Sequence, residues 1–324
     1  MLTVDDAVKA YSGGLLRDAR LPAAFLGFRD TFNMHVQISV CCLAALLAIG
    51  CRRPEPKMND IARYTCYRTS EPIQIDGRLD EAAWNQAPWS DPFVDIVTGE
   101  PAWLPTRCAL LWDDENLYIA FDVPETHVRA TLTERDSPIY NDNDVEVFIA
   151  GKDAYYEFEI NAFGTIYEVF WIWKDALKPG SFYYGRPEFD PATQRVATLA
   201  GVGGHRHPRG ERWGFLDWDF PGLRHAVHVK GTINQDDDVD EGWTVELAFP
   251  WHGLRDLADG RSLPPKAGDV WRIDCSRFQH YGPNDERLKR AAGWTWNRHG
   301  HYDSHIPETF TYVEFSIRPV DTRP

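Results

Sequence analysis

Asn141, Asp142, Asn143 and Asp144 stand in a row where SPIYNDNDVEVFI (137–149) enters a run of alternating apolar and acidic residues. Side-chain oxygens at that density suit three kinds of chemistry: a solvated turn, a site for a hard cation such as calcium, which takes several oxygens from irregular loops, or acceptors for a hydroxyl-rich ligand. More carboxylates follow. Glu146 comes two residues on, and YYEFEIN (155–161) supplies Glu157, Glu159 and Asn161. Two carboxyls about 5 Å apart would also satisfy retaining acid–base hydrolysis.

Periodicity shows what must position these groups. Val145, Val147 and Ile149 alternate with Asp144, Glu146 and Phe148, and Tyr156, Phe158 and Ile160 alternate with Glu157, Glu159 and Asn161. A period of two marks strands. One hairpin register keeps both apolar sets on one face: Ile149 opposite Tyr156, Val147 opposite Phe158, Val145 opposite Ile160. That register sets Glu146 against Glu159 and Asp144 against Asn161, and like charges directly opposite destabilise a sheet. The expected compensation is a cation, the nearby Arg135, or a ligand rich in donors.

The surrounding chain has 324 residues, 43% hydrophobic and 13% aromatic, enough to bury a full core. Its net charge of -15 makes nucleic acid a poor partner. Short apolar runs punctuated by Gly, Pro, Asn and Asp predict strands at 144–149, 155–160, 166–173, 226–233, 243–249, 271–278 and 311–316, with a hairpin over 106–123 turning at 113–116. Helical turns are expected only at 79–84 and at 251–257, the latter opened by Pro250. The pattern predicts an all-β fold, a two-sheet antiparallel β-sandwich, jelly-roll-like, with a short helix or two. A Gly- and Pro-rich excursion at about 174–219 is far longer than ordinary connections, as functional loops are.

Six motifs in order carry a resemblance: IDGRLDEAAW (75–84), LLWDDENLYIAF (110–121), RDSPIYNDNDVEVFI (135–149), YYEFEIN (155–161), GWTVELAFPW (242–251), and GWTWN (293–297) with PETFTYVEFS (307–316). From about residue 64 to 315 the chain resembles the family 9 carbohydrate-binding modules and their stand-alone bacterial relatives. The resemblance implies a non-catalytic β-sandwich domain over 64–318. Its partner would be a poly- or oligosaccharide, a terminal sugar clamped between two aromatic rings, often with a structural calcium ion. By alignment the first ring falls at Tyr140 and an acceptor at Glu146. The second ring position falls near Ser304, which has none, so that Tyr302 or His305 would substitute. An Arg that sugar-binding modules carry on the second hairpin strand corresponds to Glu159. With Asn161, Arg135 and Trp171 these residues form the expected ligand set, and Asp142 and Asp144 the expected calcium pair. The alternatives are a glycoside hydrolase using Glu146 and Glu159, or a structural envelope sandwich.

Trp84, Trp112 and Trp296 read as core, whereas Trp171 and Trp173 divide between sheet packing and ligand stacking. Other motifs fail as cofactor sites. The acidic run 236–242 lacks the Gly and final Glu of an EF-hand, and GVGGHRH (201–207) has Arg206 where a dinucleotide fingerprint needs its third Gly. Neither a nucleotide nor haem is expected, since the methionines, Met1, Met34 and Met58, all precede the domain. His299, His301 and His305 read by default as exposed loop histidines.

Residues 38–49 form an apolar run too short to span a bilayer, which needs about 20 residues, and read as the core of a secretory signal. Gly50 before Cys51 resembles a bacterial lipoprotein processing site, with Cys51 the acylated residue. The expected organisation is a mis-assigned or disordered extension at 1–33, a signal segment at 34–51 and a linker at 52–63. The expected location is periplasmic or at the cell surface, with the membrane touched only through that lipid. Cys66, Cys108 and Cys275 read as buried thiols, with one disulfide open to them.

Overall fold

The computed structural model describes residues 61–282 and 287–322. The expected extension, signal segment and Cys51, with most of the linker, lie outside the described residues. All described residues belong to the unit Glu55–Pro324.

The alternating runs form the expected strands, and five further strands among the described residues, at 63–68, 94–95, 196–199, 212–215 and 287–295, lie outside that expectation. They are β1 (Arg63–Arg68), β2 (Val94–Asp95), β3 (Arg107–Trp112), β4 (Asn116–Pro124), β5 (Asp144–Ala150), β6 (Ala154–Asn161), β7 (Ile166–Trp173), β8 (Val196–Leu199), β9 (Arg212–Phe215), β10 (Arg224–Lys230), β11 (Gly242–Pro250), β12 (Val270–Tyr281), β13 (Arg287–Thr295) and β14 (Thr311–Pro319). One short helix, α1 (Ala82–Gln86), and a 3-10 segment at Trp251–Leu257 occupy the two places where helical turns are expected.

The strand path runs β10-β11-β4-β3-β1-β14-β12-β5-β6-β7-β9-β8. Its two halves face each other, because alternate residues of β4 and β11 (Leu117, Ile119, Phe121; Val245, Leu247, Phe249) share one core with Val145, Val147, Ile149, Tyr156, Phe158 and Ile160. Phe158 meets Phe249 across that core at 6.0 Å. The expected sandwich is present, but it is not wholly antiparallel. β1 runs parallel to both β14 and β3 and links the two layers. The excursion at 174–219 also differs from a bare loop, since β8 and β9 within it extend the second layer beyond β7.

The outer face of the first layer is covered by the segment around α1, and Glu246 of β11 holds it there. Glu246 accepts the Trp84 indole N–H at 2.8 Å and the backbone N–H groups of Asp76 and Gly77 at 3.0 and 2.8 Å. Gly77 has φ +84°, and a Cβ there would lie 2.5 Å from the Val227 carbonyl carbon, so the IDG turn requires its glycine. Trp84 and Trp112 are buried as expected, and Trp296 packs partly buried against the core. Cys66, Cys108 and Cys275 are buried free thiols.

Candidate functional site

β5 and β6 pair in the register that their apolar faces demand, so Glu146 lies opposite Glu159 and Asp144 opposite Asn161. The acidic side is turned away from the sandwich core. β12 joins the other edge of β5 and sets Ser276 beside Glu146, Phe278 beside Asp144 and Asp274 beside Phe148. β7 adds Tyr167 beside Glu159 and Trp171 beside Tyr155. The second layer therefore presents a face bearing Asp144, Glu146, Glu157, Glu159 and Asp274, all of them buried.

The loop before β14 closes over this face. Ser304 and Ser276 donate to Glu146, the latter at 2.7 Å. His305 sits between Phe148, Tyr155 and Trp171, its Nδ1 3.0 Å from the Tyr155 hydroxyl and its Nε2 3.3 Å from Glu157. His299 Nε2 lies 3.3 Å from Asp274. The expectation of exposed loop histidines is thus corrected for His299 and His305, which are buried because the loop folds onto the sheet. His301 stacks on His205 at 4.2 Å. The excursion packs against the same loop: His205 Nδ1 and the Val202 N–H reach Asp303 at 2.7 and 3.0 Å.

Burial pushes every carboxyl of the row upward. Glu146 moves to about 7 and Glu157 to about 8, the latter also through the charge of Glu146. Asp144 and Glu159 are also raised well above the ordinary range, by burial first and then by neighbouring carboxylates. His305 is pushed down to about 3, again by burial. Near neutrality the His305–Glu157 contact is therefore between uncharged groups.

The run at 141–144 divides its labour. Asp142 Oδ2 accepts the N–H groups of Thr131 and Leu132 at 2.7 and 3.0 Å and the Asn161 amide at 3.0 Å. Asn143 accepts from the His280 and Tyr281 backbone at 2.7 and 2.9 Å and donates to Glu125 at 2.9 Å. Asp144 Oδ1 accepts the Phe278 N–H at 3.2 Å, while Asp144 Oδ2 and Glu159 Oε2 are buried with no hydrogen-bond partner. Among the described residues no three His, Cys, Asp or Glu side chains form a group able to hold a metal ion.

The remaining expected ligand residues are dispersed. Tyr140 is 43% exposed, its ring 5.6 Å from Tyr167 and its backbone N–H donating to Glu159, so it borders the row. Tyr302 packs on Phe278 at 5.7 Å, beside Asp144. Asn161 is engaged internally, its amide nitrogen donating to Leu132 and Asp142 and its oxygen accepting from Phe163 and Thr165. Trp171 is buried, donates to Glu157 at 2.6 Å and leaves no room for a Cβ on Gly214, whose ideal position lies 2.5 Å from the ring. Arg135 turns to the opposite face, where it pairs with Glu168 and, at 2.6 Å, with Asp219. Sequence reasoning missed Asp274, Ser276, Asp303 and Arg212. The last is wholly buried on β9, stacked on Trp173 at 4.7 Å, and none of its guanidinium nitrogens has a hydrogen-bond partner.

Residues 75–180, which contain the whole β5–β6 hairpin, match the sequence family described as carbohydrate family 9 binding domain-like. Among solved structures, a candidate carbohydrate-binding protein from Bacteroides uniformis shares its fold at a TM-score of 0.50 and 15% identity, covering 79% of this chain and 99% of that one. A family 9 carbohydrate-binding module from Caldicellulosiruptor kristjanssonii, in complex with cellotriose, superposes at a TM-score of 0.45 and 12% identity, covering 80% of this chain and 97% of that one. No curated protein matches the chain.

Proposed function

We propose that this is a non-catalytic carbohydrate-binding protein that holds a sugar where Tyr140 borders the Asp144–Glu146–Glu159 row. One observation carries the reading: a half-exposed ring borders a row of buried acceptors in which Asp144 Oδ2 and Glu159 Oε2 lack partners. Sugar rings pack their C–H faces on aromatic rings, and their hydroxyls donate to carboxyl groups. The family likeness of residues 75–180 supports the same class. The protein acts after export, tethered through Cys51 at the periplasmic or outer surface, in capture of poly- or oligosaccharide for breakdown.

A hydrolase built on Glu146 and Glu159 is disfavoured by their environments. Paired catalytic carboxyls divide their roles, one kept ionised as nucleophile and one raised as acid. Here burial raises both. Calorimetry of the purified protein against depolymerised plant and algal polysaccharides, with calcium present, tests the binding reading. Saturable heat with one class supports it, and silence with all of them sinks it. Release of reducing ends that disappears in Glu146→Gln would replace it with the enzyme.

A further inference from the structure

We infer that the sugar held at this site bears a protonated amine: the ligand is a glycan of amino sugars rather than a neutral one. The inference rests on the carbohydrate-binding reading above and concerns which glycan the same site takes.

Asp144, Glu146 and Glu159 are neighbours by strand register, and among the described residues none of the three forms an ion pair. Their partners are uncharged: Ser276 and Ser304 on Glu146, the Phe278 N–H on Asp144, the Tyr140 N–H on Glu159. The bases nearby make their hydrogen bonds and ion pairs elsewhere, although the charges of Arg277 and His299 reach Asp144 and Glu146. Arg277 projects from the core face of β12 to Glu125 at 3.1 Å, Arg135 turns to Glu168 and Asp219, and His299 faces Asp274. Arg212 lies at the other end of the face, against Trp173 and Tyr155.

Two carboxyl oxygens on this row, Asp144 Oδ2 and Glu159 Oε2, are buried without a hydrogen-bond partner. A buried carboxyl in that condition is costly until it meets a donor, and costlier still once ionised without a counter-charge. A sugar hydroxyl offers one donor and no charge. An ammonium offers three donors and a full positive charge on a compact centre, so it supplies both the missing donor and the counter-charge that an ionised row needs. Burial raises these carboxyls toward their protonated form, and an ammonium favours the ionised form, so its docking shifts protons off the row whereas a neutral sugar does not.

Three β-1,4-linked trisaccharides separate the possibilities in calorimetry at pH 6.5: fully deacetylated chitotriose, its N-acetylated form, and cellotriose. The deacetylated trimer is expected to bind about tenfold tighter or more than either neutral trimer, the yield of a charge-assisted hydrogen bond. Proton release should appear only with the amine, as a dependence of the heat on buffer ionisation enthalpy. The isosteric Glu159→Gln, with folding checked by thermal unfolding, should cut the preference to below about threefold. Neutral trimers binding as tightly as the amine, or a preference that persists in both Glu159→Gln and Asp144→Asn, overturns the inference and leaves carbohydrate binding standing. So does a site that takes up calcium and then ignores the amine. If no glycan of any class binds, the functional reading itself fails.

Discussion

Glu146 stands directly opposite Glu159 across the β5–β6 hairpin, and both side chains are buried. Like groups facing each other in a sheet cost stability, and burial raises the cost of ionising either one. The pair persists because the opposite faces of the same strands place Val145, Val147, Phe158 and Ile160 in the core, and a slip by one residue would expose all of them. Hydrophobic burial dictates the register, and the register dictates the acidic row.

That row makes stability depend on pH. Glu146 is raised to about 7 and Glu157 to about 8, so above the ordinary carboxylate range the folded state keeps protons that the unfolded chain has lost. The stability such groups contribute is complete below their unfolded pKa and is lost as pH rises through the folded value. His305, lowered to about 3, opposes them only below the ordinary histidine value of 6.5. Between about pH 6.5 and about pH 8 the carboxyls set the slope, and the melting temperature should fall as pH rises. Thermal unfolding across that window checks the sign, with Glu157→Gln expected to flatten the curve. A melting temperature that climbs would contradict it.

Tyr140 is the test of where the ligand sits. Its ring is half exposed and meets Tyr167 edge-on at 5.6 Å, so removing it should leave folding nearly unchanged. Tyr140→Ala is expected to weaken any demonstrated sugar affinity about tenfold, a loss of about 1.4 kcal/mol. Unchanged affinity in calorimetry would move the site away from this rim.

Gly214 should be intolerant for a steric reason. Its ideal Cβ would lie 2.5, 2.7 and 2.8 Å from three atoms of the Trp171 ring, which is buried and stacked on Tyr155. Gly214→Ala must displace a ring that also donates to Glu157, and overpacking of this kind costs about 2 kcal/mol. Denaturant unfolding measures it, and a neutral result would mean that Trp171 has room to move.

Glu246 should matter to folding although it lies on the opposite layer from the acidic row. It satisfies the Trp84 indole and the backbone N–H groups of Asp76 and Gly77. Glu246→Ala strands these donors at the cost of about 3 kcal/mol or more. The expected observation is a lower unfolding midpoint, with early proteolysis in the segment around α1.

The parts of the molecule legible in the sequence were those where a local pattern meets one buried face. The β5–β6 register, the 106–123 hairpin and the turn at 251–257 are of this kind. β1 escaped notice because RYTCYR is short and polar, and its partner Thr311–Pro319 lies at the far end of the chain. β8 and β9 escaped because VATL and RWGF are four-residue strands inside a Gly-rich stretch. Arg135 is close to the acidic run in sequence, yet its guanidinium goes to Glu168, whose side of β7 faces away from the row.

The sequence by itself determined the hairpin, its two faces and therefore the meeting of Glu146 with Glu159, because side chains alternate along a strand and only one pairing buries every apolar one. Only the tertiary structure decided what surrounds that pair. Ser276 reaches Glu146 from 130 positions away, and Ser304, His305 and Arg212 arrive from loops and strands that no local period connects to it. Such contacts are selected by the packing of whole layers, and that packing turned a polar entry into a strand into a buried acidic face.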